Sequence, residues 1–127
     1  MVKTMAMVFG VVLLLVGILG FIPGVTNDSN MLLGLFHVNT AHNIIHLLSG
    51  AAALACGMMD AKAAKMYFMI FGVVYALVAI LGFVQQDSDI LGFIASNVWD
   101  TWLHVVIAVV ALYFGFASKA DDMPATA

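Results

Sequence analysis

The second half of this chain repeats the first, and that limits the folds open to it. When Lys3–Ile22 is laid over Lys65–Val84, Met7, Phe9, Gly10, Val11, Val12, Leu15, Val16, Ile18, Leu19, Gly20 and Phe21 return as Met69, Phe71, Gly72, Val73, Val74, Leu77, Val78, Ile80, Leu81, Gly82 and Phe83. One short insertion, near Pro23-Gly24-Val25-Thr26, brings the remainder into line. Leu33-Gly34 then falls on Leu91-Gly92, Asn39 on Asn97, His42 on Asp100, His46 on His104 and Gly57 on Gly115. The repeats run over residues 3–59 and 65–117. Between the matched positions most residues drift among apolar types, whereas an Asn-x-x-(His/Asp)-x-x-x-His pattern stands in both halves.

The apolar segments within each repeat define the environment. Of the 127 residues, 65% are hydrophobic and 9% charged, far from a soluble mixture. Four runs, at about Met5–Ile22, Leu35–Met59, Ala64–Val84 and Ile94–Ala117, approach or exceed the ~20 helical residues that cross a bilayer. Lipid offers no hydrogen bonds, so each run must satisfy its own backbone as a helix. The expected fold is an all-α, four-helix membrane bundle of two duplicated hairpins, a single domain over 1–127 with a flexible tail at 118–127. Met1-Val2-Lys3 before an apolar run has the outline of a secretory signal. No small-x-small cleavage site follows, and the run has a twin in the third span, so it is expected to remain.

The basic residues orient the bundle. Lys3 precedes the first span, Lys62 and Lys65 separate the second and third, and Lys119 follows the fourth. All lie on one side, which the positive-inside rule makes cytoplasmic, with both termini inside. Asp28, Asp87 and Asp89 give the opposite loops a weak acidic character. The net charge of −3 argues against nucleic acid. Lipid is the expected surrounding, with further membrane subunits or a second copy as protein partners. Cys56 is the only cysteine, so an internal disulfide and paired-cysteine redox chemistry are excluded.

Because each hairpin has two spans, both copies insert in one orientation. The expected pseudo-two-fold runs along the membrane normal and places spans two and four diagonally across the core. Asn39, His42 and His46 are three and four residues apart, on one helical face, and Asn97, Asp100 and His104 repeat that spacing. Asparagine to deeper histidine is roughly 10 Å of helix rise, which puts His46 and His104 in the outer half of the bilayer. Gly50, Ala53 and Gly57, with Ala108, Ala111 and Gly115, continue these faces as small-residue stripes, for close helix approach or for a flat cofactor. Trp99 and Trp102 suit the interfacial aromatic belt.

Three readings of the polar cluster follow. The bland one is a hydrogen-bond clamp between helices, with Asn39 and Asn97 as N-caps and Asp100 paired to His42. The sharper one is a ligand site. His42, His46, Asp100 and His104 supply three imidazoles and a carboxylate, a donor set for Zn, Fe, Mn or Cu. Alternatively His46 and His104 alone ligate a b-type haem axially, or one histidine holds a chlorophyll. The third reading is a proton or ion path, against which the inner halves of both helices are apolar. His37 and Asn43, replaced by Ala95 and Thr101 in the second half, rank as accessory with Asn39 and Asn97. No nucleophile or second general base stands beside the cluster, so turnover chemistry is the least favoured class.

The block Gly34-Leu35-Phe36-His37-Val38-Asn39-Thr40-Ala41-His42-Asn43-Ile44-Ile45-His46-Leu47-Leu48-Ser49-Gly50, after Gly20-Phe21-Ile22-Pro23-Gly24, resembles a widespread bacterial family. That family comprises four-span membrane proteins catalogued as a domain of unknown function, and the likeness covers nearly the whole chain. It implies the fold and a bacterial plasma-membrane location, and it implies no activity. Taken together, the expectation is a small metal- or haem-binding membrane protein, free-standing or an accessory subunit. A purely structural protein is the alternative.

Overall fold

The computed structural model describes residues 1–86 and 88–118; Asp87, Lys119 and the rest of the expected tail lie outside the described residues. The described chain is mainly helical. α1 covers Val2–Leu19, α2 Thr40–Met59 and α3 Ala61–Val84. α4 covers Val98–Leu112 and runs into a π-helical turn, Tyr113–Ala117. All four helices are long and apolar enough to cross a membrane. α1 packs chiefly on α2 and α3 on α4.

Glycine sets both contacts. A Cβ on Gly10 would stand 2.7 Å from the Gly50 carbonyl oxygen, and one on Gly50 2.7 Å from that of Gly10. One on Gly57 would stand 2.8 Å from Lys3 O, and one on Gly115 2.6 Å from Met69 N. At these points backbone meets backbone, the close approach that small residues permit where burial of apolar surface from water contributes little. At Gly50, Gly57 and Gly115 the small-residue stripes therefore serve helix contact.

α2 and α3 are joined through Asp60 alone, whose Oδ1 accepts from Ala63 N at 2.7 Å. Lys3 lies at this end of α1 and Lys62 and Lys65 in the first turns of α3, and Lys65 Nζ donates to Ser118 O. Above them Val2, Ala6, Ala53, Ala64, Tyr67, Phe68 and Ala111 form a buried core. Phe9 meets Phe68 edge-on at 5.4 Å, and Tyr67 stacks on Phe71 at 4.4 Å. A second layer of Leu13, Tyr75, Ile107 and Ala108 follows.

Helix boundaries differ from expectation, and α1 and α3 each begin three residues before their apolar runs, at Val2 and Ala61. α1 ends at Leu19, with Gly20 as its cap, so it stops before Pro23 instead of at it; Thr26 Oγ1 donates to the freed Leu19 carbonyl at 3.0 Å. α2 and α4 begin at Thr40 and Val98, several residues later than their apolar runs. The preceding residues fold back instead. β1, Met31–Leu32, pairs antiparallel with β2, Phe36–His37, and Ile90 bridges Ile94. The turns between carry Leu33 at φ 56° and Gly34 at 70°, and Leu91 at 55° and Gly92 at 83°. A left-handed leucine is unusual, and it cannot continue a helix.

Candidate functional site

Each turn delivers the chain to an asparagine. Asn39 Oδ1 accepts from His42 N and Asn97 Oδ1 from Asp100 N, both at 2.9 Å, which satisfies amides orphaned at the helix starts. The other ends of these side chains cross the molecule. Asn39 Nδ2 donates to Phe93 O at 2.9 Å, and Asn97 Nδ2 donates to Leu35 O at 2.8 Å. Each asparagine thus caps its own helix and holds the turn that leads into the other.

One turn further in, three histidines meet. His42, His46 and His104 are all buried, and one ring nitrogen from each lies within 4.8 Å of the others. The His46 and His104 ring centroids are 6.0 Å apart, those of His42 and His46 4.8 Å, and those of His42 and His104 5.7 Å. Spacing on α2 puts His42 and His46 on successive turns of one face, while His104 comes from α4.

The hydrogen bonds fix one tautomer. His42 Nδ1 stands 2.8 Å from Ala95 O, and a carbonyl only accepts, so Nδ1 carries the proton. His42 Nε2 therefore presents a lone pair to the cluster, where it lies 2.9 Å from His46 Nε2. A backbone-anchored imidazole with its other nitrogen turned inward is the arrangement that orients histidine ligands at metal sites. Among the described residues His46 Nδ1 and His104 Nδ1 are buried with no hydrogen-bond partner. Leaving a buried polar atom unpaired costs about 1–3 kcal/mol, so neither ring is placed here for its hydrogen bonding alone.

Asp100 stands at the edge of this group. Its Oδ2 accepts from Asn97 N at 3.0 Å and completes a capping box, and Oδ1 lies 3.9 Å from His42 Nε2. Its first partner is therefore the Asn97 amide. Residence in the first turn, where the helix dipole favours an anion, makes its burial tolerable. His37 lies on β2, half-buried, outside the three-histidine group. Asn43 is buried, with its side chain against Gly20, where a Cβ would collide with it. Trp99 and Trp102 are exposed on α4.

Two residues beside the cluster escape a reading by sequence. Tyr75 of α3 is 3% exposed, its ring 5.7 Å from His104 and 6.3 Å from His46, and its hydroxyl makes no well-formed hydrogen bond among the described residues. Ser49 is buried one turn below His46, and its carbonyl accepts from Tyr67 Oη at 2.9 Å. A tyrosine within an apolar helix reads as packing, and Tyr75 aligns with Leu13 in the first half, so the repeat gave no signal for it. A cavity of about 110 Å³ adjoins the group, between Ile45, Phe71, Val74, Val78 and Ile94.

Fold and cluster define a membrane-type four-helix protein with a buried histidine group. The chain matches the family described as Domain of unknown function (DUF4383) over residues 3–117, and it belongs to that family. No curated protein and no solved structure matches it.

Proposed function

We propose that this protein binds a transition-metal ion through His42, His46 and His104. The observation that carries the reading is the convergence of three buried imidazoles from two helices, one of them tautomer-locked with its lone pair turned inward. Two nitrogens on a tetrahedral ion stand ~3.3 Å apart, given metal–nitrogen bonds of ~2.0–2.1 Å. The 2.9 Å pair is within a few tenths of that, and the three ligand nitrogens all lie within 4.8 Å of one another. Nitrogen-only donors suit Zn, Cu or Fe, and three protein ligands leave a position open. Asp100 Oδ1 is the nearest carboxylate to that position, as a fourth donor or an outer partner.

Haem suits the site less well. A cofactor of that size takes a pocket of ~300–1,000 Å³, and the cavity beside the histidines measures about 110 Å³. His42 also closes on both rings that would serve as axial ligands. One observation favours the clamp as second reading: the 2.9 Å His42–His46 contact is a good hydrogen bond when one ring donates.

The wider placement is part of the proposal. The chain sits in a bacterial plasma membrane with the lysine end and both termini cytoplasmic, and the histidines lie toward the outer surface. It is built of two duplicated hairpins. In support, the left-handed Leu-Gly turns recur 58 residues apart, as do the two asparagine caps and their crossed hydrogen bonds.

The test is elemental analysis of protein purified in mild detergent and offered Zn, Cu or Fe. One ion per chain is expected. His46→Gln and His104→Gln should each abolish it while circular dichroism stays unchanged, and the double variant should add nothing. Full metal content in the double variant refutes the site.

A further inference from the structure

The cavity beside the histidines has features that a bare metal site does not need. At about 110 Å³ it is smaller than the ~150 Å³ apolar cavity that takes up benzene, so it suits a molecule of few heavy atoms. Its wall is almost wholly carbon, from Ile45 of α2, Phe71, Val74 and Val78 of α3, and Ile94 of the second turn. Its inner boundary is formed by His42, His46, His104 and Tyr75. Val74 is 44% exposed on the outer face of α3, and Ile45 and Val78 are partly exposed. The cavity therefore lies close to the apolar outer surface of the bundle, between α2 and α3.

These features select a ligand class. A charged or strongly polar molecule would lose its hydration here without replacement. A small apolar cavity instead takes up weakly interacting species such as xenon. Small uncharged diatomic gases concentrate in bilayer hydrocarbon relative to water, so a side entrance from lipid meets them where they are most abundant. Three imidazoles leave a coordination position open on a bound ion, and this cavity is the unfilled space adjoining them.

We infer that the cavity is a binding site for a small apolar diatomic gas, which enters from the bilayer between α2 and α3 and ligates the metal held by His42, His46 and His104. The gas-binding step rests on the metal reading; the cavity's own affinity does not. Binding is simple coordination, with the ligand's lone pair donated to the open metal position and no bond broken.

Two probes on the full chain in detergent separate those parts. Xenon-129 resonance tests the cavity without any metal: a protein-dependent shift is expected, lost in Val78→Phe and in Ile45→Phe, each of which fills the space. Carbon monoxide added to Cu(I)-loaded protein tests the ligation: one infrared C–O band is expected, lost or displaced in both variants at unchanged copper content. No xenon shift in the wild type overturns the inference outright. A carbon monoxide band of equal intensity and position in both variants overturns the route and site. Xenon binding with no copper, zinc or iron retained overturns gas ligation and the metal reading together, and leaves only an apolar void. If one variant fails to fold, the other carries the comparison.

Discussion

Replacing Asn97 with alanine tests how the starts of α2 and α4 are held together. The side chain does two jobs: its oxygen caps Asp100 N at 2.9 Å and its amide donates to Leu35 O at 2.8 Å. Loss of an N-cap costs about 1 kcal/mol. Loss of a partly buried neutral hydrogen bond costs about 1 kcal/mol more. Asn97→Ala should therefore destabilise by ~2 kcal/mol. Asn97→Ser keeps a capping oxygen but cannot reach Leu35, so it should lose only the second half. Asn39 has the same two contacts, yet its bond to Phe93 O is exposed and water competes for it. Asn39→Ala should then cost ~1 kcal/mol, nearly all of it the cap. Reversible unfolding in mixed micelles reads these differences, followed by the fluorescence of Trp99 and Trp102 in the first turns of α4. The reasoning fails if serine at 97 is as harmful as alanine, or if the Asn39 variant is the less stable of the two alanine variants.

Other perturbations probe separate parts of the account. Gly50→Ala brings a methyl group 2.7 Å from the Gly10 carbonyl, and overpacking of this kind should cost about 1–3 kcal/mol in the same unfolding assay. Gly24→Ala meets no neighbouring atom, but φ is +93°, so a smaller loss of about 1 kcal/mol from backbone strain is expected. Cysteines at Asn27 and Ser88, in a Cys56→Ala background, should react with an impermeant thiol reagent applied outside intact cells. Labelling only after the inner face is opened would reverse the proposed orientation.

Much of the fold was legible because lipid enforces helices on apolar runs, and four such runs are plain in the composition. The helix starts were less so. Leu35–Val38 and Ile94–Ser96 are as apolar as the spans they adjoin, and only the capping asparagines mark where helix begins. The Asn-x-x-Asp pattern at Asn97–Asp100 is itself a cap signal, and it accounts for a carboxylate otherwise read as a partner of His42 or as a ligand. The histidines were visible as polar residues at helical spacing. That His42 turns its Nε2 inward depends on the Ala95 carbonyl, 53 residues away, a contact no local pattern encodes. Tyr75 was hidden for a related reason, since its role depends on which helix face α3 presents to α2 and α4.

The most direct measurement is X-ray absorption at the edge of the metal retained by the purified protein. The account predicts a shell of nitrogen or oxygen scatterers near ~2.0–2.1 Å, with the outer-shell scattering of three imidazoles and no sulfur. That imidazole signal should vanish in His46→Gln together with the metal. A sulfur shell, a porphyrin-type iron spectrum, or an imidazole signal undiminished in the variant would contradict it.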